Sequence, residues 1–275
     1  MSTVAPDPSR VVFVGGLHRS GTTPLARAMA EHHEISGLVG TGAMEDEGQH
    51  LQDVYPKAKV YGGAGRFALD PRAHLTEDSP LVTADAADRM WTAWEPFWSL
   101  DRRLLVEKSP PNLIMGRFLQ AVFPGSASVI VMRHPVSVAL ATAKWRRLLS
   151  RHAQNATSVD AMVQNWVRAH EILRHDLPHL ERIVVLRYEE LVADPATELA
   201  RVQELLDVDE PIPHSSLRAN HSSGYEQQWE EMGRSFLGRR RRASLVEKYG
   251  ETVATFGYRM DDLSTVGPLP APLRR

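Results

Sequence analysis

The chain has 275 residues, 43% hydrophobic and 24% charged, with a formal net charge of −2 and no cysteine. That length and apolar content allow one substantial core, so a single domain over 1–275 is expected. The near-zero charge supplies no field for nucleic acid or an anionic membrane, and the missing cysteines exclude disulfides, thiol catalysis and Cys-ligated metal.

The first ten residues lack the charged and apolar regions of a secretory signal, and no stretch reaches the ~18 apolar residues of a membrane span. A cytoplasmic location is therefore expected. Residues 1–9 and 264–275 are polar and Pro-rich and read as loose tails. Residues 11–14, Val-Val-Phe-Val, read as a buried strand ending at Gly15-Gly16. A helix is predicted over 22–33, with Leu25, Ala28 and Met29 at helical spacing. Looser repeats of this unit follow: strand 103–106, helix 112–123, strand 128–132 and helix 136–149. A long helix over 158–174, a strand over 183–186 and a helix over 196–206 complete the series.

Strands alternating with helices predict an α/β fold, three-layered and P-loop-like, with a central mostly parallel sheet flanked by helices. Residues 40–100 break the rhythm with an acidic cluster, glycines and Trp91, Trp94 and Trp98. Ligands of open α/β sheets sit beyond the carboxyl ends of the strands. This insert is read either as a wall of an acceptor pocket or as a helix whose tryptophans pack on the core.

The sharpest motif is Gly16-Leu17-His18-Arg19-Ser20-Gly21-Thr22-Thr23, lying between strand and helix. Its glycine spacing matches a phosphate loop: glycines let backbone N–H groups turn inward, and the helix N-terminus favours an anion. Thr22 and Thr23 add hydroxyl donors. Thr22 stands where a nucleotide triphosphatase places its lysine, and the fixed charge lies earlier, at Arg19. That argues against hydrolysis of a nucleoside triphosphate and for another phosphate ligand.

Arg19-Ser20-Gly21-Thr22-Thr23 after an apolar strand resembles the 5′-phosphosulfate loop of the sulfotransferase family, in motif style nearest the bacterial and tyrosylprotein types. The resemblance implies one sulfotransferase domain with 3′-phosphoadenosine 5′-phosphosulfate (PAPS) as co-substrate and no metal. Three further landmarks stand in the family's order. Val129-Ile-Val-Met-Arg133-His-Pro resembles the 3′-phosphate motif, whose arginine would hold that phosphate with its planar fork. Its usual serine eight residues on is Ala141 here, with Thr142 one position off. Glu107-Lys108-Ser109-Pro110 resembles the segment whose lysine reaches the transferring group, and Arg187-Tyr188-Glu189-Glu190 the segment whose tyrosine lies by the adenine. Phe256-Gly257-Tyr258 resembles a family ending with no evident chemistry.

Sulfuryl transfer resembles phosphoryl transfer in its demands, so Arg19, Lys108 and the loop amides would stabilise charge on the leaving oxygen. The acceptor hydroxyl needs a general base. The segment 44–50 follows the first helix, where several relatives keep a glutamate. Glu47 is the first choice there, then His50, then Glu45. Arg239 to Arg242 form either a solvated helix face or a basic lid over the donor, and the family's lid motif is absent, Ser222-Ser223-Gly224-Tyr225 being the nearest segment. A small-molecule hydroxyl is the expected acceptor, without nucleic acid or membrane partners; the oligomeric state is open. The competing readings are a P-loop kinase-like phosphotransferase and a non-catalytic nucleotide binder.

Overall fold

The structure, a computed structural model, describes residues 7–149, 158–215, 217 and 223–274. Residues 1–6 and Arg275 of the expected tails, and Ser222 of the 222–225 segment, lie outside the described residues.

Strand β1 (Val11–Gly16) shows why the sheet must be covered twice. Side chains alternate between the faces of a strand, so Val11 and Phe13 enter one core while Val12 and Val14 enter another. All four are at most 1% exposed. A strand apolar on both faces is stable only inside a sheet sandwiched between helices. The remaining elements follow as α1 (Thr22–Ala30), β2 (Ile35–Gly37), α2 (Ala86–Trp94), β3 (Leu104–Lys108), α3 (Gly116–Val122), β4 (Ala127–Met132), α4 (Pro135–Leu149) and α5 (Val159–Asp176). Then come β5 (Ile183–Arg187), α6 (Tyr188–Ala193), α7 (Pro195–Leu206), α8 (Ser223–Met232) and α9 (Phe236–Ala254).

The five strands form one sheet in the order β2-β3-β1-β4-β5, and every pairing is parallel. The α/β fold is therefore the one expected. After β1 the chain builds β2 and β3 on one side, then crosses to β4 and β5 on the other. The carboxyl end of β1 is thus the topological switch point, where open sheets leave a crevice. The register aligns Val14 with Lys108 and Met132 with Arg187, so Lys108, Arg133 and Tyr188 emerge along the same edge as the loop after β1.

Beyond shifts of one or two residues at element ends, the structure departs from the sequence reading in several places. The first helix stops at Ala30, because the chain turns at once into the three-residue β2. The helix expected over 112–123 is divided: Pro110–Ile114 forms a tight 3₁₀ segment begun by two prolines, and α3 starts at Gly116. The C-terminal segment, expected to be loose, is docked. Tyr258 pairs with Val266, Leu269 and Leu273 are buried, and the fully buried Arg187 donates to the carbonyls of Phe256 and Gly267. At the other end, Arg10 donates to the Leu100 carbonyl at 2.7 Å.

The insert packs as a helix on the core. Trp91, Trp94 and Trp98 stack edge-on near Phe13 and Phe123, and all three are buried. No helix among the described residues is long and apolar enough to cross a membrane.

Candidate functional site

The loop after β1 is held by its own backbone. The Ser20 N–H and hydroxyl both donate to the Leu17 carbonyl, at 3.0 and 2.6 Å. Gly21 precedes α1 with φ of 104°, in the left-handed region. A Cβ placed there would lie 2.4 Å from the Tyr188 ring, so glycine is required both for the turn and for that ring to lie on the loop. The α1 N-terminus then presents its free amides beside Thr22 and Thr23. Arg19 holds φ of 71° with an exposed side chain, and its carbonyl accepts from Arg133 Nη1 at 2.9 Å.

A cavity of about 500 Å³ opens over this loop, walled by Arg19, Gly21, Thr22, Thr23, Arg27, Arg133, Lys144, Trp145, Tyr188 and Tyr225. The Arg133 guanidinium lies 4.1 Å over the Tyr188 ring and 5.7 Å from that of Tyr225. Its backbone is fixed from two sides. Trp166 Nε1 donates to the Arg133 carbonyl at 2.8 Å, and the His134 N–H donates to Glu189 at 2.9 Å. Glu189's second oxygen accepts from the Tyr258 hydroxyl at 2.9 Å. Arg187, Glu189 and Tyr258 thus form a brace that leaves the intervening Tyr188 to face the cavity. Four cationic side chains, amide donors at a helix start and two tyrosine rings suit an anion attached to a planar base.

Ala141 lines this cavity where the family pattern has serine, whereas Thr142 is buried close to Gly65. Lys144, almost one helical turn beyond Ala141, brings a cation to the same wall. None of Arg239 to Arg242 lines it. Arg242 stacks on Trp229 at 4.7 Å and donates to its carbonyl, and Arg239, Arg240 and Arg241 are exposed.

At the end of β3 a second group forms. Lys108 Nζ lies 3.5 Å from Glu47 Oε1, both side chains less than 10% exposed. Glu47 Oε2 accepts from Gln49 Nε2 at 2.6 Å and lies 3.6 Å from His50 Nε2. Burial pushes the Glu47 pKa up, but the His50 contact, the charges of His18 and Lys108 and the Gln49 donor together hold it below its ordinary value. Burial pulls Lys108 down, against the attraction of Glu47 and Glu107. Lys108 lines a small pocket that shares Thr23, Arg27 and Glu45 with the larger cavity. Glu45 stands where the two meet, 3.8 Å from Arg27.

The segment carrying Glu47 is pinned to the sheet through a fully buried carboxylate. Glu107 accepts from Ser109 Oγ at 2.5 Å and from Asn112 Nδ2 at 2.7 Å. Ser109 Oγ in turn accepts the Gln49 N–H at 2.9 Å. Gly48 sits against Glu107 so closely that a Cβ would lie 2.5 Å from Oε1. Burial raises the Glu107 pKa to about 7, despite the Ser109 and Asn112 donors.

Arg19, Gly21, Thr22, Thr23, Arg133 and Tyr188 therefore share one cavity, Ser20 lies beneath its loop, and Glu47 pairs with Lys108 beside it. Sequence reasoning missed Lys144, Gln49 and the histidine of the loop itself. Lys144 had a signal, its helical spacing from Ala141; Gln49 had none, because only folding brings it onto Ser109.

Residues 11–211 match a family model described as the sulfotransferase family. Among solved structures, a sulfotransferase domain from the curacin biosynthetic pathway is similar over 80% of this chain and 81% of its own, with 21% identity and a TM-score of 0.47. A sulfotransferase from Alicyclobacillus acidocaldarius is similar over 90% of this chain and 96% of its own, with 14% identity and a TM-score of 0.49. A mouse sulfotransferase complexed with PAP is similar over 82% of this chain and 68% of its own, with 13% identity and a TM-score of 0.41. No curated protein sequence matches the chain.

Proposed function

This chain belongs to the sulfotransferase family, and on that premise we propose that it transfers a sulfuryl group from PAPS to a hydroxyl of a small-molecule acceptor. One observation carries the donor assignment: Arg133, held over Tyr188 and bonded to the Arg19 carbonyl, shares one cavity with the anion-binding loop at the sheet's switch point. In this reading Arg133 holds the donor's 3′-phosphate and Tyr188 packs against its adenine. The loop amides of residues 19–23, with the Thr22 and Thr23 hydroxyls, bind the 5′-phosphosulfate. Lys144 takes the place left by Ala141 as a further partner for the 3′-phosphate.

The acceptor oxygen attacks sulfur, and the bond from sulfur to the bridging oxygen breaks. Arg19 and Lys108 stabilise the charge left on the 5′-phosphate, in the manner of pre-aimed electrostatics. The acceptor's proton passes to the buried polar group around Glu47, the carboxylate expected from the sequence to supply general-base chemistry.

Calorimetric titration with adenosine 3′,5′-bisphosphate (PAP), beside ATP and AMP without magnesium, tests the donor assignment. PAP is expected to bind preferentially. Arg133→Ala is expected to weaken it roughly 10- to 100-fold, the loss of a charge-assisted phosphate contact. Preference for ATP, or an Arg133→Ala affinity equal to the native one, overturns the proposal.

A further inference from the structure

His18 lies within the phosphate loop, between the strand end and Arg19, yet the donor assignment gives it nothing to do. Its ring is set against Phe67, with centroids 5.8 Å apart, and faces Trp145 at 6.5 Å. Trp145 belongs to the wall of the large cavity. The residue is only part-exposed, and its Nδ1 is buried with no hydrogen-bond partner among the described residues. A buried imidazole nitrogen without a partner is costly to maintain unless a ligand supplies one.

Glu47, by contrast, has both oxygens engaged. Oε1 faces Lys108, and Oε2 faces Gln49 and His50. A carboxylate with this many donors is stabilised as the anion and is a weak proton acceptor. His18 is therefore the basic group of the loop with an unmet nitrogen, its ring beside Trp145 of the cavity wall, and Glu47 is the nearby charge that favours its protonated form.

We propose that the His18 imidazole removes the proton from the acceptor hydroxyl, with the Glu47 carboxylate as counter-ion to the imidazolium that forms. This rests on the sulfotransferase reading and names the side chain on which its proton balance ends. The acceptor's O–H bond breaks as its oxygen bonds to sulfur. The sulfur–bridging-oxygen electron pair leaves with the 5′-phosphate, the proton rests on His18, and solvent then removes it. Phe67 and Trp145 would hold an apolar acceptor body against the same ring.

The charges acting on His18 make the step depend on the donor. Burial pulls its pKa down to about 4; Glu47 raises it, and Lys108, His50 and Arg19 lower it. A donor phosphosulfate at Arg19 and Lys108 offsets two of those cations. The imidazole thus becomes more basic when the donor is bound, which suits a base needed only at that moment.

The test uses water as acceptor. Radiolabelled PAPS is cleaved to PAP and sulfate by the native protein, His18→Asn and Glu47→Gln, across pH, with PAP affinity measured for each by calorimetry. The native protein is expected to show a kcat profile falling toward acid. In His18→Asn that limb should vanish and the rate drop roughly 10²- to 10⁴-fold, with PAP affinity kept within about threefold. In Glu47→Gln the limb should persist but move to lower pH, because a negative neighbour of the imidazole has gone. That shift stands as an independent check if His18→Asn does not fold. Cleavage by His18→Asn at the native rate, loss of the limb in Glu47→Gln alone, or native protein that binds PAP and cleaves no PAPS each overturns the proposal. Failure of the native protein to bind PAP instead removes the donor reading beneath it.

Discussion

Glu107 offers a quantitative test of how the site is built. It is fully buried at the end of β3, and burial raises its pKa from an ordinary 4.5 to about 7. Below pH 4.5 the group is protonated whether the chain is folded or not, so it contributes nothing to pH dependence. Between 4.5 and 7 the unfolded chain releases its proton while the folded one keeps it, and stability falls as pH rises. Above 7 the loss is complete. Integrated between pH 5 and 8, a shift of this size amounts to roughly 2–3 kcal/mol. Glu107→Gln keeps an oxygen to accept from Ser109 or Asn112 and carries no charge, so it lacks this dependence. Urea unfolding followed by tryptophan fluorescence at both pH values measures it. Groups that do not face Glu107 titrate in common, so the stability of Glu107→Gln relative to the native protein should rise by roughly 2–3 kcal/mol from pH 5 to 8. A relative stability constant within about 0.5 kcal/mol would refute the reasoning, and would mean that Glu107 folds already ionised.

Two further substitutions probe the walls of the cavity. Gly21→Ala places a Cβ 2.4 Å from Tyr188 at a φ of 104° and should cost about 1–3 kcal/mol of stability. Thermal unfolding in a Tyr188→Ala background separates the two causes: part of the cost should disappear there, and full additivity would deny the ring contact. Lys108→Met removes the cation facing Glu47 and should lower turnover of PAPS roughly 10²- to 10³-fold while changing PAP affinity little. An equal loss of PAP affinity and no loss of turnover would make Lys108 a donor-binding group only.

The legible parts of the fold were those whose burial is written along the chain. β1, β3, β4 and β5 belong to a sheet covered on both faces, so each is largely apolar, and the site residues stand at or just past their carboxyl ends: the loop after β1, Lys108 closing β3, Arg133 after β4 and Tyr188 after β5. Lys108, Arg133 and Tyr188 are singled out by their resemblance to family segments, and the parallel sheet places all three at one edge. The insert carries no such period. Residues 44–50 are two short 3₁₀ turns, with Glu45 and Asp46 in the left-handed region, and their placement depends on Gln49 meeting Ser109 sixty residues later. Glu47 could be named only as one of three choices for that reason. Phe256-Gly257-Tyr258 had no visible purpose for the same cause: it is the partner of a buried arginine on β5, and neither half of that brace is informative alone.

His18 is the sharper case, because it sits inside the best-read motif. A phosphate loop is recognised by glycines, a cation and hydroxyls, and those residues account for the donor without it. What distinguishes His18 is an unpartnered nitrogen and the carboxylate, lysine and aromatic rings that folding gathers around it. Glycine spacing reports where the backbone must turn; it says nothing of which side chain is left with an unmet hydrogen bond. In the proposed reading the donor contacts come from separate short motifs, each legible alone, whereas the acceptor side draws on the loop, the insert, β3 and α4, and becomes readable only once those four are together.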